Sequence, residues 1–284
     1  MTPAGAANAG GAPPPDHTIL GYDISWPQCG SDLPEPLGFA IIGVNGGRPN
    51  TTNPCLAAQL TWAAGTSEPA KTPPVALYVN TANPGPTAKG WWPTSNVHHG
   101  AHIPNPYGAC NGADTAACAY IYGYAMAYDD VNRRGVPDAA HHMWWMDVET
   151  GNSWSSNRAA NAADLEGMTA YLQSIGAEAG IYSTTYQFGE IAGTVGSDSN
   201  LNKLKNWVAG ATSKTSARAY CSSTPLTPGG AVALTQFTAG SYDYNYPCRP
   251  LPSKQPAPPP KRQDPPHPLN QPDPPYVHSP MRFY

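Results

Sequence analysis

Charge is what this sequence has least of. Asp, Glu, Lys and Arg make up 12% of its 284 residues, against roughly 25% in an average soluble chain. The net charge is -4 and the pI about 6.0. No basic stripe can neutralise a phosphate backbone, which argues against a nucleic-acid partner. No apolar run reaches the roughly 18 residues that would span a bilayer. No C-x-x-C pair is present, so a structural zinc site is not expected. No G-x-G-x-x-G or P-loop follows a candidate strand, and no cofactor is expected. Ser153, Ser155 and Ser156 lack a G-x-S-x-G elbow, which disfavours a serine hydrolase. His98 and His102 are four apart but flank a Pro-rich loop. His141 and His142 would point to opposite faces of a strand, so no metal is expected from either pair.

Cysteine is present and even in number: Cys29, Cys55, Cys110, Cys118, Cys221 and Cys248. In a Gly- and Pro-rich chain with few charges this points to disulfides and an oxidising compartment, hence secretion or cell-wall association. Six cysteines allow 15 connectivities. The expectation taken is pairing in sequence order. Residues 1–17 read as a flexible leader of Ala, Gly and Pro. They have no positive n-region or apolar h-region, so the small-residue run is expected to lie just beyond a cleavage site. Residues 249–284 carry 13 prolines in 36 positions and read as an extended, disordered tail. One domain, 18–248, lies between.

Within it, β-rich runs at 19–25, 38–45, 75–80, 142–148, 178–183, 206–210 and 231–237 alternate with helical patterns at 54–65, 115–134 and 161–175. In the last, Ala162, Leu165, Met168, Ala170, Leu172 and Ile175 tend to one face, with Gly176 at the end. Such alternation predicts an α/β fold with a parallel sheet under helices. Seven strands in about 230 residues fit a (β/α) TIM-like barrel, allowing for irregularity, better than an open doubly wound sheet. The long segment 83–113, with Trp91 and Trp92, reads as a functional or disordered loop. Asp129 and Asp130 read as a solvated helix end.

The acids fall at strand ends. Asp23 closes the first strand, Asp147 and Glu149 the fourth, and Asp243 follows the last. In a parallel barrel these ends share one rim, where active sites form. Asp147 and Glu149, at i and i+2, share a strand face with Cα atoms roughly 6–7 Å apart. Neighbouring carboxyls cannot both ionise freely, so one stays protonated near neutrality. An acid beside a carboxylate is what glycosidic cleavage needs, and Glu149, with the longer reach, is the better acid.

These residues carry a resemblance. The chain is similar to glycoside-hydrolase-like domains of actinobacterial secreted proteins, which resemble family 25 lysozymes (N-acetylmuramidases). The pattern Asp-x-Ser-x-x-Gln appears as Asp23, Ser25 and Gln28, and Asp-x-Glu as Asp147 and Glu149. Gly180-Ile181-Tyr182-Ser183, Trp207-Val208-Ala209 and Gln236 with Asp243 and Asn245 follow in the family's order. The resemblance implies a barrel acting on cell-wall polysaccharide, with peptidoglycan as the expected substrate. It implies Glu149 as general acid/base, Asp147 as the acid that orients the acetamido group or stabilises the charged intermediate, and Asp23 and Asp243 as flanking acids. Two departures stand out: Tyr78-Val79-Asn80 replaces the family's Tyr-His-aromatic run, and 83–113 is an insertion. Both keep open a module that binds or organises wall glycan without cutting it.

Trp and Tyr offer sugars a flat apolar face with a polar edge. Trp26, Trp154 and Tyr182 are the expected stacking residues, with Ser25, Gln28, Gln236 and Asn245 as further substrate contacts. Trp144, Trp145 and Trp207 are expected in the core.

Overall fold

The computed structural model describes residues 20–35, 37–65 and 75–248; the expected leader and tail lie outside them. The chain runs β1 (Gly21–Ile24), β2 (Phe39–Gly43), α1 (Leu56–Ala64), β3 (Ala76–Asn80), β4 (Val97–His98), β5 (Ala101–His102) and α2 (Ala116–Asn132). It continues through β6 (Met143–Asp147), α3 (Arg158–Ser174), β7 (Glu178–Ser183), α4 (Thr185–Ile191), β8 (Lys205–Ala211), α5 (Lys214–Tyr220), β9 (Ala231–Ala239) and β10 (Tyr242–Pro247). Eight strands close a barrel in the order β1-β10-β9-β8-β7-β6-β3-β2. The seven strands read from sequence are all in it. The eighth, β10, was read as loop. It turns back at Gly240 (φ +67°) and runs antiparallel to both β9 and β1. The barrel is therefore mixed rather than wholly parallel.

Period-two alternation separates two cores. Outward-facing Ile42, Leu77, Val79, Trp144, Met146 and Ile181 pack under the helices. Inward-facing Phe39, Ile41, Trp145 and Trp207 fill the barrel, with Tyr78 and Tyr182 above them. Trp144, Trp145 and Trp207 are all buried, as expected of core residues. Two glycines make room for this filling. A Cβ at Gly180 would lie 2.5 Å from the Trp145 ring, and one at Gly43 would lie 2.4 Å from the Ser25 Cβ.

The helix α3 is buried on more than the one face its sequence suggested, from Ala160 through Leu172 with Ala162 and Ala170 half-buried. The reason is a close crossing with α2. A Cβ at Gly123 would lie 1.9 Å from the Asp164 carbonyl oxygen, and one at Gly167 2.0 Å from that of Tyr120. The expectation that Asp129 and Asp130 form a solvated helix end is wrong. Asp130 is 1% exposed and accepts from Arg134 at 2.6 Å, while Arg134 also donates to the Pro49 carbonyl at 2.7 Å. The pair ties the end of α2 to the loop after β2. A carboxylate at such depth needs its cation.

Disulfides join Cys29 to Cys55, Cys110 to Cys118 and Cys221 to Cys248, the sequence-order pairing. The 83–113 segment folds against α2 and α3. Trp92 packs on Tyr122 with ring centroids 5.5 Å apart, and Tyr107 reaches Tyr120 and hydrogen-bonds Glu166. His141 and His142 are not on a strand, since Ala139–His141 form a 3-10 turn and His142 follows it. Among the described residues no helix is long and apolar enough to cross a membrane.

Candidate active site

The inward parity that places Trp145 in the barrel also places the acids above it. Asp147 ends β6 facing inward, and Glu149 follows two residues on, past the strand. Asp147 pairs in register with Asn80 on β3 and Tyr182 on β7. Asp23 pairs with Asp243 across β1 and β10. The mixed topology leaves the rim intact because β10 begins where β9 ends, so Asp243 starts its strand at the same level.

Hydrogen bonds fix this layer. Asn80 Nδ2 donates to Asp147 Oδ2 at 2.7 Å, and the Asn80 main chain is itself held by Asn45. Asp23 accepts from Asn245 Nδ2 at 2.7 Å and from Gln236 Nε2 at 3.1 and 3.2 Å. Tyr182 donates to Gln236 Oε1 at 2.7 Å. Thr238 donates to Asp243 Oδ1 at 2.6 Å. Gln236 thus links the tyrosine to the acid, its Oε1 accepting from Tyr182 and its Nε2 donating to both oxygens of Asp23.

Burial favours the protonated forms of Asp23, Asp147 and Glu149. Burial raises Asp147 well above the usual carboxyl range, and the charges of Glu149 and Asp23 add to it. Burial also raises Glu149, against the hydrogen bond from Gln187 and with the charge of Asp243. Asp23 is pushed up to about 7, by burial first and then by Asp243, despite the donors Asn245 and Gln236. These mutual influences bring all four expected acids into one electrostatic unit. Of the β6 pair, Asp147 is 4% exposed and Glu149 half-buried, so Glu149 is the carboxyl that a ligand can reach.

The sign of the stability consequence follows. A carboxyl raised above its unfolded value of ~3.9 binds its proton more tightly in the native state. Its contribution is full at acidic pH and is lost as pH rises towards the folded value. Urea unfolding of the wild type is expected to show stability falling between about pH 4 and pH 7, the window set by Asp23. Asp23→Asn should flatten that slope, and an unchanged slope would remove Asp23 as a source.

The other expected contacts divide. Tyr182, Gln236 and Asn245 are in the layer. Ser25 is buried and hydrogen-bonded to Tyr78. Gln28 is not aimed at the cleft, because its Oε1 accepts from the Ser25 main-chain N–H at 2.9 Å and caps a 3-10 turn. Trp154 is half-buried, and its indole donates to the Glu149 carbonyl at 2.9 Å, fixing the backbone that carries the acid. Trp26 is 48% exposed and lies over Gly47. Three site residues were missed. Tyr78 and Asn80 share the inward parity of β3, which the sequence already showed. Gln187 lies on α4, a helix that was not read.

Residues 125–219, which include Asp147 and Glu149, match the family model described as Lysozyme-like protein 1. A segment is 39% identical over 56 residues to a protein named Probable GH family 25 lysozyme 4 from Dictyostelium discoideum, covering 20% of this chain and 26% of that protein. The chain thus matches about a quarter of that relative's length. The fold is similar to a muramidase from Acremonium alcalophilum, with a TM-score of 0.50 at 18% identity over 81% of this chain and 93% of that one. A muramidase from Trichobolus zukalii gives a TM-score of 0.48 at 17% identity, with 81% and 93% of the two chains covered. Around its paired acids the chain is similar in sequence to the lysozyme-like family model, a segment of it is similar to a glycoside hydrolase family 25 lysozyme, and its barrel is similar in fold to a muramidase.

Proposed function

We propose that the chain is an extracellular glycoside hydrolase that cleaves cell-wall polysaccharide, with peptidoglycan as substrate and Glu149 as general acid. The observation that carries this reading is the convergence of Asp23, Asp147, Glu149 and Asp243 in one layer, where burial favours the protonated forms of Asp23, Asp147 and Glu149. Glu149, the reachable member, gives its proton to the glycosidic oxygen as the bond to the anomeric carbon breaks. Asp147, fixed by Asn80, faces the charge that develops on the sugar or orients the N-acetyl group. Retention then follows from attack by the acetamido oxygen or from a covalent glycosyl intermediate, with Glu149 as base for the incoming water. Asp23 and Asp243 set the charge around the pair. Packing of the 83–113 segment on α2 and α3 supports an accessible cleft. Three disulfides support an oxidising, extracellular location.

A second reading is favoured by one observation. Asp147 is almost closed to solvent at 4% exposed, which suits a domain that holds wall glycan without cutting it. The experiment that separates the readings is digestion of purified bacterial walls, with mass spectrometry of the released fragments. Fragments with new reducing-end N-acetyl sugars support cleavage. Retention on insoluble wall with no fragments from several wall types supports the second reading.

A further inference from the structure

We propose that His98, His99 and Asp129 bind one divalent transition-metal ion, with zinc(II) as the reference ion, and that this ion clips the 83–113 segment to α2. The site lies apart from the acid cleft, and its chemistry is independent of the proposed hydrolysis. The hairpin β4–β5 turns through His99 and Gly100, at φ +48° and +78°. A left-handed backbone is uncommon for histidine and costs about 1 kcal/mol or more. Its result is to bring the His99 ring beside His98, centroids 4.2 Å apart, with both rings against Tyr128 at 4.9 and 5.1 Å. The next residue along α2 is Asp129. One donor atom from each of the three residues lies within 4.8 Å of the others. Small side-chain rotations bring such donors onto one ion at the roughly 2.0–2.2 Å bonds that zinc makes to imidazole and carboxylate.

The donors are suited to the task. His98 Nε2 is shut off from solvent and has no hydrogen-bond partner among the described residues, and Asp129 Oδ1, equally shut off, is held by its ion pair with Arg133. Two imidazoles and one carboxylate select a borderline ion over calcium or magnesium, which prefer oxygen shells. The fourth position is left for water.

One cation competes. Arg133 Nη2 lies 3.0 Å from His99 Nε2, and Arg133 Nε lies 3.3 Å from Asp129 Oδ1. Its side chain is 43% exposed and can turn out to water when the ion enters. Arg134, the other nearby cation, is held by Asp130. Sequence spacing had singled out His98 with His102, but the hairpin register sets His102 opposite Val97 instead. His99 and Asp129 are the partners that spacing missed, and the proposal replaces the expectation of no bound metal.

The test uses the full chain, stripped of metal with a chelator and titrated calorimetrically with zinc chloride. Metal content is then measured after gel filtration. The expected result is one zinc per chain, with binding weakened at least ~10-fold in both His98→Ala and His99→Ala. Arg133→Ala should tighten binding, because it removes the competing cation. Zinc should also raise the unfolding midpoint of the wild type by a few degrees and leave that of His99→Ala unmoved. If His98→Ala does not fold, His99→Ala and Arg133→Ala, which alter more exposed side chains, decide the matter. The proposal is overturned by a chain that retains no zinc, by binding that survives both histidine substitutions, or by Arg133→Ala binding more weakly than the wild type.

Discussion

Glu149→Gln is expected to lower the rate of wall-fragment release by about 10³-fold or more, with little change in binding to the wall. A positioned general acid contributes typically 10²–10⁴-fold, and an unprotonated sugar alkoxide is a poor leaving group, so the upper part of that range applies. Glutamine keeps the length and shape of the side chain, and the Trp154 indole still holds the main chain at this position. What it loses is the transferable proton. Because the Glu149 carboxyl is raised by burial, the wild type should keep its acid form to higher pH than an exposed glutamic acid, then lose activity as that proton leaves. The variant should lose this alkaline limb together with the rate. Removing the charge of Glu149 also removes one of the influences that raise Asp147, so the Asp147 carboxyl should titrate lower in the variant. Release at more than about a tenth of the wild-type rate would place the donor elsewhere.

Much of this site was legible because barrels couple parity to chemistry. Asp147 and Asp23 could be placed from their positions at strand ends, whereas the strand face shared by Asp147 and Glu149 does not form, because β6 ends at Asp147 and Glu149 lies in the loop beyond it. Asp243 was expected near Asp23, and the register pairs the two, but the reason given was incomplete. Its segment, Tyr242–Pro247, alternates tyrosine with Asp and Asn and ends in proline. Here the polar set faces into the barrel, towards the acids, and the tyrosines face out. Hydrophobic periodicity expects the reverse assignment for a buried strand, so the element read as a loop.

Other losses have equally local causes. The helices α4 and α5 have seven residues each, too few turns for an amphipathic repeat to emerge. Missing α4 meant missing Gln187. Asp129 and Asp130 were assigned to solvent by type, although Arg133 and Arg134 stand four residues on, the spacing at which helical charges pair. Gln28 shows the opposite error. Its place in a motif suggested a ligand contact, while its amide satisfies a neighbouring N–H at a tight turn. No spacing rule separates those roles; only the direction of the side chain does.

Gly123→Ala is expected to destabilise the protein by about 3 kcal/mol, although alanine is the better helix former. Propensity favours the change by roughly 1 kcal/mol. Against it, the added methyl would sit 1.9 Å from the Asp164 carbonyl oxygen. That oxygen belongs to the backbone of a buried helix, so no side chain can rotate away and α2 and α3 must move apart. Overpacking of this kind costs typically 1–3 kcal/mol and more where the neighbour is fixed, and separating the helices also loosens the buried Asp130–Arg134 end of α2. Urea unfolding should show the loss, with a midpoint temperature lower by roughly 2–4 °C per kcal/mol. Gly167→Ala, aimed at the Tyr120 carbonyl from the other helix, should cost a similar amount. The double variant should cost less than the sum, because one separation relieves both clashes. Gly189→Ala supplies the contrast: it lies in α4 with nothing within 4 Å of the added atom, so propensity alone should make it neutral to stabilising by about 1 kcal/mol. Equal effects at Gly123 and Gly189 would mean that the close helix crossing does not set the stability of this barrel.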